Sequence, residues 1–210
     1  MLGRELLSLG RLEAFSDGVF AIAITLLVLE LGVSSNAGDH LLKSILHEWP
    51  SLLAYFTSFL TIGVIWLQHA EITSALRAAD VTLYRLNLLV LLLVSFIPFP
   101  TKLVSEYFGE RNPERVAVTF YGILLLALAV SLTVFVHYAV EHGSLVSNRL
   151  DADTVRAVQE RSPSFVLYGV GICLGLVLPS LAVVVYLATA VYLGIPGGAV
   201  RRHLPRRHAA

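Results

Sequence analysis

Uncharged apolar runs, several of them about the length of a bilayer crossing, set the pattern of this chain. From Gly18 to Leu29 no residue ionises, and the apolar character resumes beyond Glu30. Further uncharged runs are Trp49–Ala70, Leu86–Thr101, Val116–Val140 and Ser162–Val200. A helix needs about 20 apolar residues to cross the hydrocarbon core. The last run, 39 residues long, exceeds one crossing and fits two short helices. The pattern therefore predicts an all-α integral membrane protein with six transmembrane helices per subunit, at about 12–33, 51–73, 82–105, 114–140, 163–178 and 179–196. No soluble domain is appended, so residues 1–210 read as one membrane domain.

Turn and breaker residues punctuate these spans. A Ser/Asn/Gly turn follows span 1. In DHLLKSILHEW, residues Leu41, Leu42, Ile45 and Trp49 then recur at helical spacing, predicting a short outer helix ended by Pro50. A very short basic loop joins spans 2 and 3, and Pro98 and Pro100 should kink or end the outer half of span 3. Asn112-Pro113-Glu114 offers a cap, a proline for the first turn and an acid for the positive end of the dipole, so it opens span 4. Gly143–Arg161 is the longest polar connection, in which DADTVRAVQER can form a helical turn or two. Ser162-Pro163 repeats the cap logic for span 5, Pro179 interrupts the apolar run, and Gly194-Ile195-Pro196-Gly197-Gly198 ends span 6. The chain carries no internal repeat of the kind that builds two inverted halves in transporters.

Composition agrees: 56% of the 210 residues are hydrophobic and 14% charged, against roughly a quarter charged in soluble domains. A net charge of zero argues against a nucleic-acid or acidic partner. With six spans and a cytoplasmic N-terminus, eleven Lys and Arg fall on the cytoplasmic side and four outside. By the positive-inside rule this predicts a multi-pass cell-membrane protein with both termini cytoplasmic. The basic tail RRHLPRRH then lies where it can anchor to anionic headgroups. Span 1 runs too far, carries Glu30 and lacks a small-residue cleavage site, so it reads as retained rather than as a signal peptide. Cys173, the single cysteine, can form no internal disulfide and reads as a small buried hydrophobe.

The candidate chemistry begins in span 1, which enters the membrane carrying Arg11, Glu13, Ser16 and Asp17; polar groups there need partners. At 100° per residue, Ile22, Leu26 and Leu29 fall within about 60° of one another, with Thr25 at one edge of that stripe. Asp17 projects about 140° and Ser16 about 120° away from Ile22, and Glu30 about 80°. The stripe can face lipid, core or something functional. The polar corner can be a simple helix cap, or it can meet Trp66 and His69 on one face of span 2 and Asn87 in span 3, all able to donate hydrogen bonds. A hydrolase is not indicated: Ser16 and Asp17 are neighbours on one helix with no nucleophile motif, and no pair of histidines forms HExxH. The chain therefore reads as a non-enzyme without cofactor.

RLEAFSDGVFAIAITLLVLEL in span 1, WLQH at Trp66–His69 and NLLVLLLVSFIPFPT at Asn87–Thr101 resemble the bacterial members of the transmembrane protein 175 family, homologues of the lysosomal potassium channel. The RxxxFSD pattern here is Arg11, Phe15, Ser16 and Asp17. The resemblance is strongest from Arg11 to Thr101; spans 4 to 6 match in length and hydropathy. It implies a homotetrameric potassium-permeable channel whose central pore is lined by span 1. Family constriction positions fall on Ile22, Leu26 and Leu29, and Thr25 matches a position whose hydroxyl contributes to cation selectivity. The FSD signature, with Arg11, Phe15, Trp66, His69 and Asn87, is implied to serve packing and pore architecture. No TVGYG filter occurs, so an apolar neck with modest selectivity is expected, passing potassium, rubidium and caesium and disfavouring sodium. Proton permeation stays open, as in the eukaryotic members. Glu30 is either a vestibule carboxylate or the partner of a neighbouring helix. The competing reading is a proton-coupled secondary transporter using Asp17 and His69 as a relay.

Overall fold

The structure, a computed structural model, describes residues 8–31, 42, 46, 48–142, 145–146 and 162–195. Most of the expected outer helix before Pro50, the helical turn expected between 151 and 161, and the basic tail lie outside the described residues. Helix α1 spans Leu9–Leu26 and runs into a 3-10 turn over Leu27–Glu30. Then follow α2 (Trp49–Ser74), α3 (Val81–Phe96), α4 (Pro98–Glu106), α5 (Arg111–Glu141), α6 (Ser162–Val177) and α7 (Pro179–Gly194).

Helices α3 and α4 are the two halves of one span, broken at Ile97 because Pro98 and Pro100 cannot donate to the preceding turn. Four segments, Leu9–Glu30, Trp49–Ser74, Val81–Glu106 and Arg111–Glu141, are long and apolar enough to cross a bilayer. α6 and α7, 16 residues each, are shorter apolar helices parted at Leu178 before Pro179. Six apolar helical segments thus form an all-α membrane fold.

Capping chemistry fixes several of the ends. Asp80 caps α3 by accepting from the Leu83 amide at 2.9 Å, and its other oxygen accepts from the Tyr138 hydroxyl at 2.8 Å, tying α3 to α5. Gly109, at φ +86°, makes the turn from α4 to α5 in a conformation that costs other residues strain. Glu114 does more than complement the dipole of α5. It is buried and accepts from the Ser180 hydroxyl at 2.8 Å, joining the first turns of α5 and α7. The α2–α3 connection is pinned by a bridge between Leu76 and Val146, with the Arg77 amide donating to the Leu145 carbonyl at 2.9 Å.

α5 packs along α6, and α6 against α7; α2 contacts α1, α4 and α7. Lipid supplies no hydrophobic drive between helices, so close approach and internal hydrogen bonds hold such a bundle. Tyr186 on α7 fills a notch whose walls are Gly122 on α5 and Gly171 on α6; a Cβ at either glycine would overlap its ring. Gly175, one turn along α6, lets that helix approach Thr119. Across the interior, the Ser58 hydroxyl bonds those of Thr101 at 2.7 Å and Tyr121 at 2.9 Å. Cys173, expected to be buried, is instead exposed on α6. An apolar run cannot distinguish a residue facing lipid from one facing its neighbours.

Candidate functional site on α1

α1 lies at the edge of the bundle, packed only against α2 and α3 among the helices it touches most, with its 3-10 turn resting on α2 and α4. Leu12, Phe20, Ala23 and Leu27 point into the core at 1% exposure or less. The opposite side is bare. Ile22 is 60% exposed, Leu26 40% and Leu29 74%, and Thr25 is exposed beside them.

The 3-10 turn alters this face in a way a uniform wheel cannot anticipate. Three residues per turn advance about 120° each, so side chains three apart eclipse. Counted through the turn, Leu29 comes directly above Leu26, about 40° from Ile22, while Glu30 swings to about 160° from Ile22. The stripe continues as leucine. Glu30 meets Lys102 on α4 instead, Oε2 to Nζ at 3.4 Å. Lys102 also approaches Glu106 at 3.9 Å.

Thr25 donates its hydroxyl proton to the Ile22 carbonyl at 2.9 Å. That bond satisfies the donor within α1 and leaves the oxygen lone pairs to accept or to face a cation.

On its inner side α1 is bolted to α2 and α3 by a directed chain of hydrogen bonds. His69 Nε2–H donates to Asn87 Oδ1 at 2.6 Å, Asn87 Nδ2 donates to Ser16 Oγ at 2.9 Å, and Ser16 Oγ donates to the Leu12 carbonyl at 2.7 Å. All three side chains are buried. The Asn87 carbonyl oxygen can only accept and its amide nitrogen can only donate, so this one side chain defines the polarity of the whole relay. The His69 ring lies between Phe20, centroids 5.4 Å apart, and Phe135, stacked at 5.8 Å. A second, separate bond runs from Trp66 Nε1 to Asp17 Oδ1 at 2.9 Å on the exposed side.

The structure thus brings Ser16, His69 and Asn87 together, and Asp17 and Trp66 together. Arg11 and Phe15 join neither set: both are exposed, and Arg11 has no ion pair among the described residues. Phe20, Phe135 and Lys102 contribute without having been singled out from sequence. Lys102 carried a usable signal, as a cation closing the PFP segment, but its pairing with Glu30 depends on the 3-10 turn. Among the described residues no group of His, Cys, Asp and Glu could hold a metal ion.

A helical bundle bolted by intramembrane polar side chains, with large apolar side chains exposed around its outside, defines a polytopic α-helical membrane protein. Residues 11–98 match the family described as the endosomal/lysosomal potassium channel TMEM175. The chain is 37% identical over 202 residues to a potassium channel of Streptomyces collinus, covering 96% of this chain and 97% of that one. It is 39% identical over 196 residues to a potassium channel of Chamaesiphon minutus, covering 90% and 95%. The crystal structure of a Chamaesiphon minutus homologue of the lysosomal potassium-selective channel superposes with a TM-score of 0.77 at 36% identity, over 92% of this chain and 97% of that one. The chain belongs to the TMEM175 family.

Proposed function

We propose that this protein is the subunit of a potassium-permeable, leak-like cation channel of the cell membrane, a homotetramer in which α1 of each subunit lines the pore and both termini are cytoplasmic. One observation carries the reading. α1 is bolted down on one side and presents Ile22, Thr25, Leu26 and Leu29 in an exposed line on the other, in a chain whose relatives are named potassium channels.

Four copies of that line make an apolar neck. A neck of this kind gates by dewetting and admits an ion only as it sheds part of its hydration shell. Potassium, rubidium and caesium are less strongly hydrated than sodium, so they pass more readily. The Thr25 oxygens, the polar atoms within the line, offer partial replacement for lost water. Among the described residues Asp17 is bonded to Trp66 and His69 to Asn87, with no hydrogen bond between the two branches, an arrangement that favours the channel over a proton-coupled relay.

The test is reconstitution into liposomes under a potassium gradient. The reversal potential is expected to follow that gradient, and one indifferent to it rejects the channel. Ile22→Ser and Leu29→Ser should each raise potassium leak about tenfold, as a barrier lowered by ~1.4 kcal/mol would, and narrow the discrimination against sodium. Conductance unchanged in both variants would remove α1 from the ion path.

A further inference from the structure

A carboxylate at the end of an ion-lining helix ordinarily concentrates cations at the pore mouth, and Glu30 occupies that position in the chain. Its geometry here is different. The 3-10 turn of Leu27–Glu30 rotates the side chain off the Ile22–Leu29 line and against α4, where Lys102 Nζ lies 3.4 Å from Oε2. The Leu31 amide closes the turn on the Val28 carbonyl at 3.1 Å, and Leu27, the residue three before Glu30 in the eclipsed register, is fully buried. The turn is therefore anchored by packing as well as by charge. Glu30 is only 25% exposed, whereas Leu29 beside it is 74% exposed. An ion at this end of the stripe meets leucine, with the nearest carboxylate turned aside and neutralised.

Lys102 serves two acids. Glu106, one helical turn further on α4, lies 3.9 Å from the same ammonium, and both of those side chains are about half exposed. The three groups Glu30, Lys102 and Glu106 carry one net negative charge per subunit, and Lys102 determines how much of it is felt at the stripe. An exposed pair of this kind contributes little to holding a fold together. Its field still reaches beyond it, over a distance set by the ionic strength.

We propose that Lys102 is a charge-compensating residue that sets cation access to the Leu29 end of the pore, by holding the Glu30 carboxylate against α4 and neutralising it there. This rests on the channel reading above, with α1 as the pore lining. With Lys102 in place the Glu30 carboxylate is compensated, the remaining negative charge sits on Glu106 one helical turn further on α4, and conduction is limited by the apolar neck. With Lys102 neutralised, four Glu30 carboxylates attract potassium to the mouth, as like-signed groups lining a cleft raise the local counter-ion concentration.

Single-channel recording of the full-length protein in planar bilayers tests this. At ~10 mM KCl, where the screening length is about 30 Å, Lys102→Gln should raise potassium conductance about twofold or more over the parent. At ~1 M KCl, where it is about 3 Å, the two should coincide. Adding Glu30→Gln to Lys102→Gln should return the low-salt conductance to the parent level. Glu106→Gln on top of Lys102→Gln should leave most of the increase. Where Lys102→Gln does not assemble, Glu30→Gln alone carries the test and should lower the low-salt conductance by about twofold, because it takes one negative charge per subunit from the mouth and leaves Lys102 to Glu106 alone. A Lys102→Gln conductance equal to the parent at low salt, or an increase that survives loss of Glu30, overturns the proposal. A parent protein that passes no potassium overturns the channel reading and this inference with it; a conducting parent with an indifferent Lys102→Gln overturns this inference alone.

Discussion

Asn87 illustrates how much one side chain decides in a membrane interior. Its two polar atoms are used in opposite senses, accepting from His69 and donating to Ser16, and through them three helices share one register. An aliphatic replacement of similar size fills the space and breaks both bonds, leaving the His69 Nε2–H buried without an acceptor. Ser16 keeps its own bond to the Leu12 carbonyl, so the loss concentrates on the histidine. Asn87→Leu is expected to cost ~1–3 kcal/mol, the penalty for a stranded buried donor. It should lower the thermal midpoint of detergent-solubilised protein followed by tryptophan fluorescence. A midpoint within a degree of the parent would show that the relay contributes no stability.

At the scale of elements, the fold depends on where helices stop and how closely they approach. Pro98 and Pro100 divide one span into α3 and α4, and the break at Ile97 lets α4 bring Lys102 toward the end of α1. Close approach of α5, α6 and α7 depends on Gly122 and Gly171, whose missing side chains leave the notch for Tyr186. Gly171→Ala puts a methyl group into the Tyr186 ring, and that buried ring has little freedom to retreat. Overpacking of this kind costs ~1–3 kcal/mol. Thermal unfolding should register it, with Gly169→Ala, where a Cβ meets open space, as the near-neutral control. Equal midpoints for the two variants would place the α5–α6–α7 contact elsewhere.

At the scale of the whole molecule, the side of α1 that the protomer leaves bare carries the Thr25 hydroxyl as well as leucine and isoleucine. A hydroxyl on a lipid-facing surface is better placed against water or another subunit. The tetramer proposed above satisfies this by turning the face to a shared axis. Native mass spectrometry of the detergent-released protein should therefore give a mass of four chains. A monomer at concentrations where the protein conducts would remove the shared pore.

Much of this protein is legible along the chain. Hydropathy alone determined the six apolar segments, because a bilayer requires uncharged stretches of nearly fixed length and requires every backbone polar group to be satisfied within a helix. Local chemistry determined the breaks at Pro98 and Pro179, since a proline's missing N–H acts within its own turn. The angular spacing of side chains around α1 up to Leu26 also follows from the sequence, since helical period needs no tertiary partner, but which side turns inward does not. Beyond that point the reading stops. Whether Cys173 faced neighbours or lipid was undetermined, because both environments are apolar. The direction of the Asn87 relay required three helices in register. The bearing of Glu30 required knowing that α1 tightens into a 3-10 turn, which no residue between Leu27 and Glu30 announces. Only packing against α2 and α4, with Leu27 drawn fully into the core, decided that Leu29 stays on the stripe while Glu30 turns to Lys102.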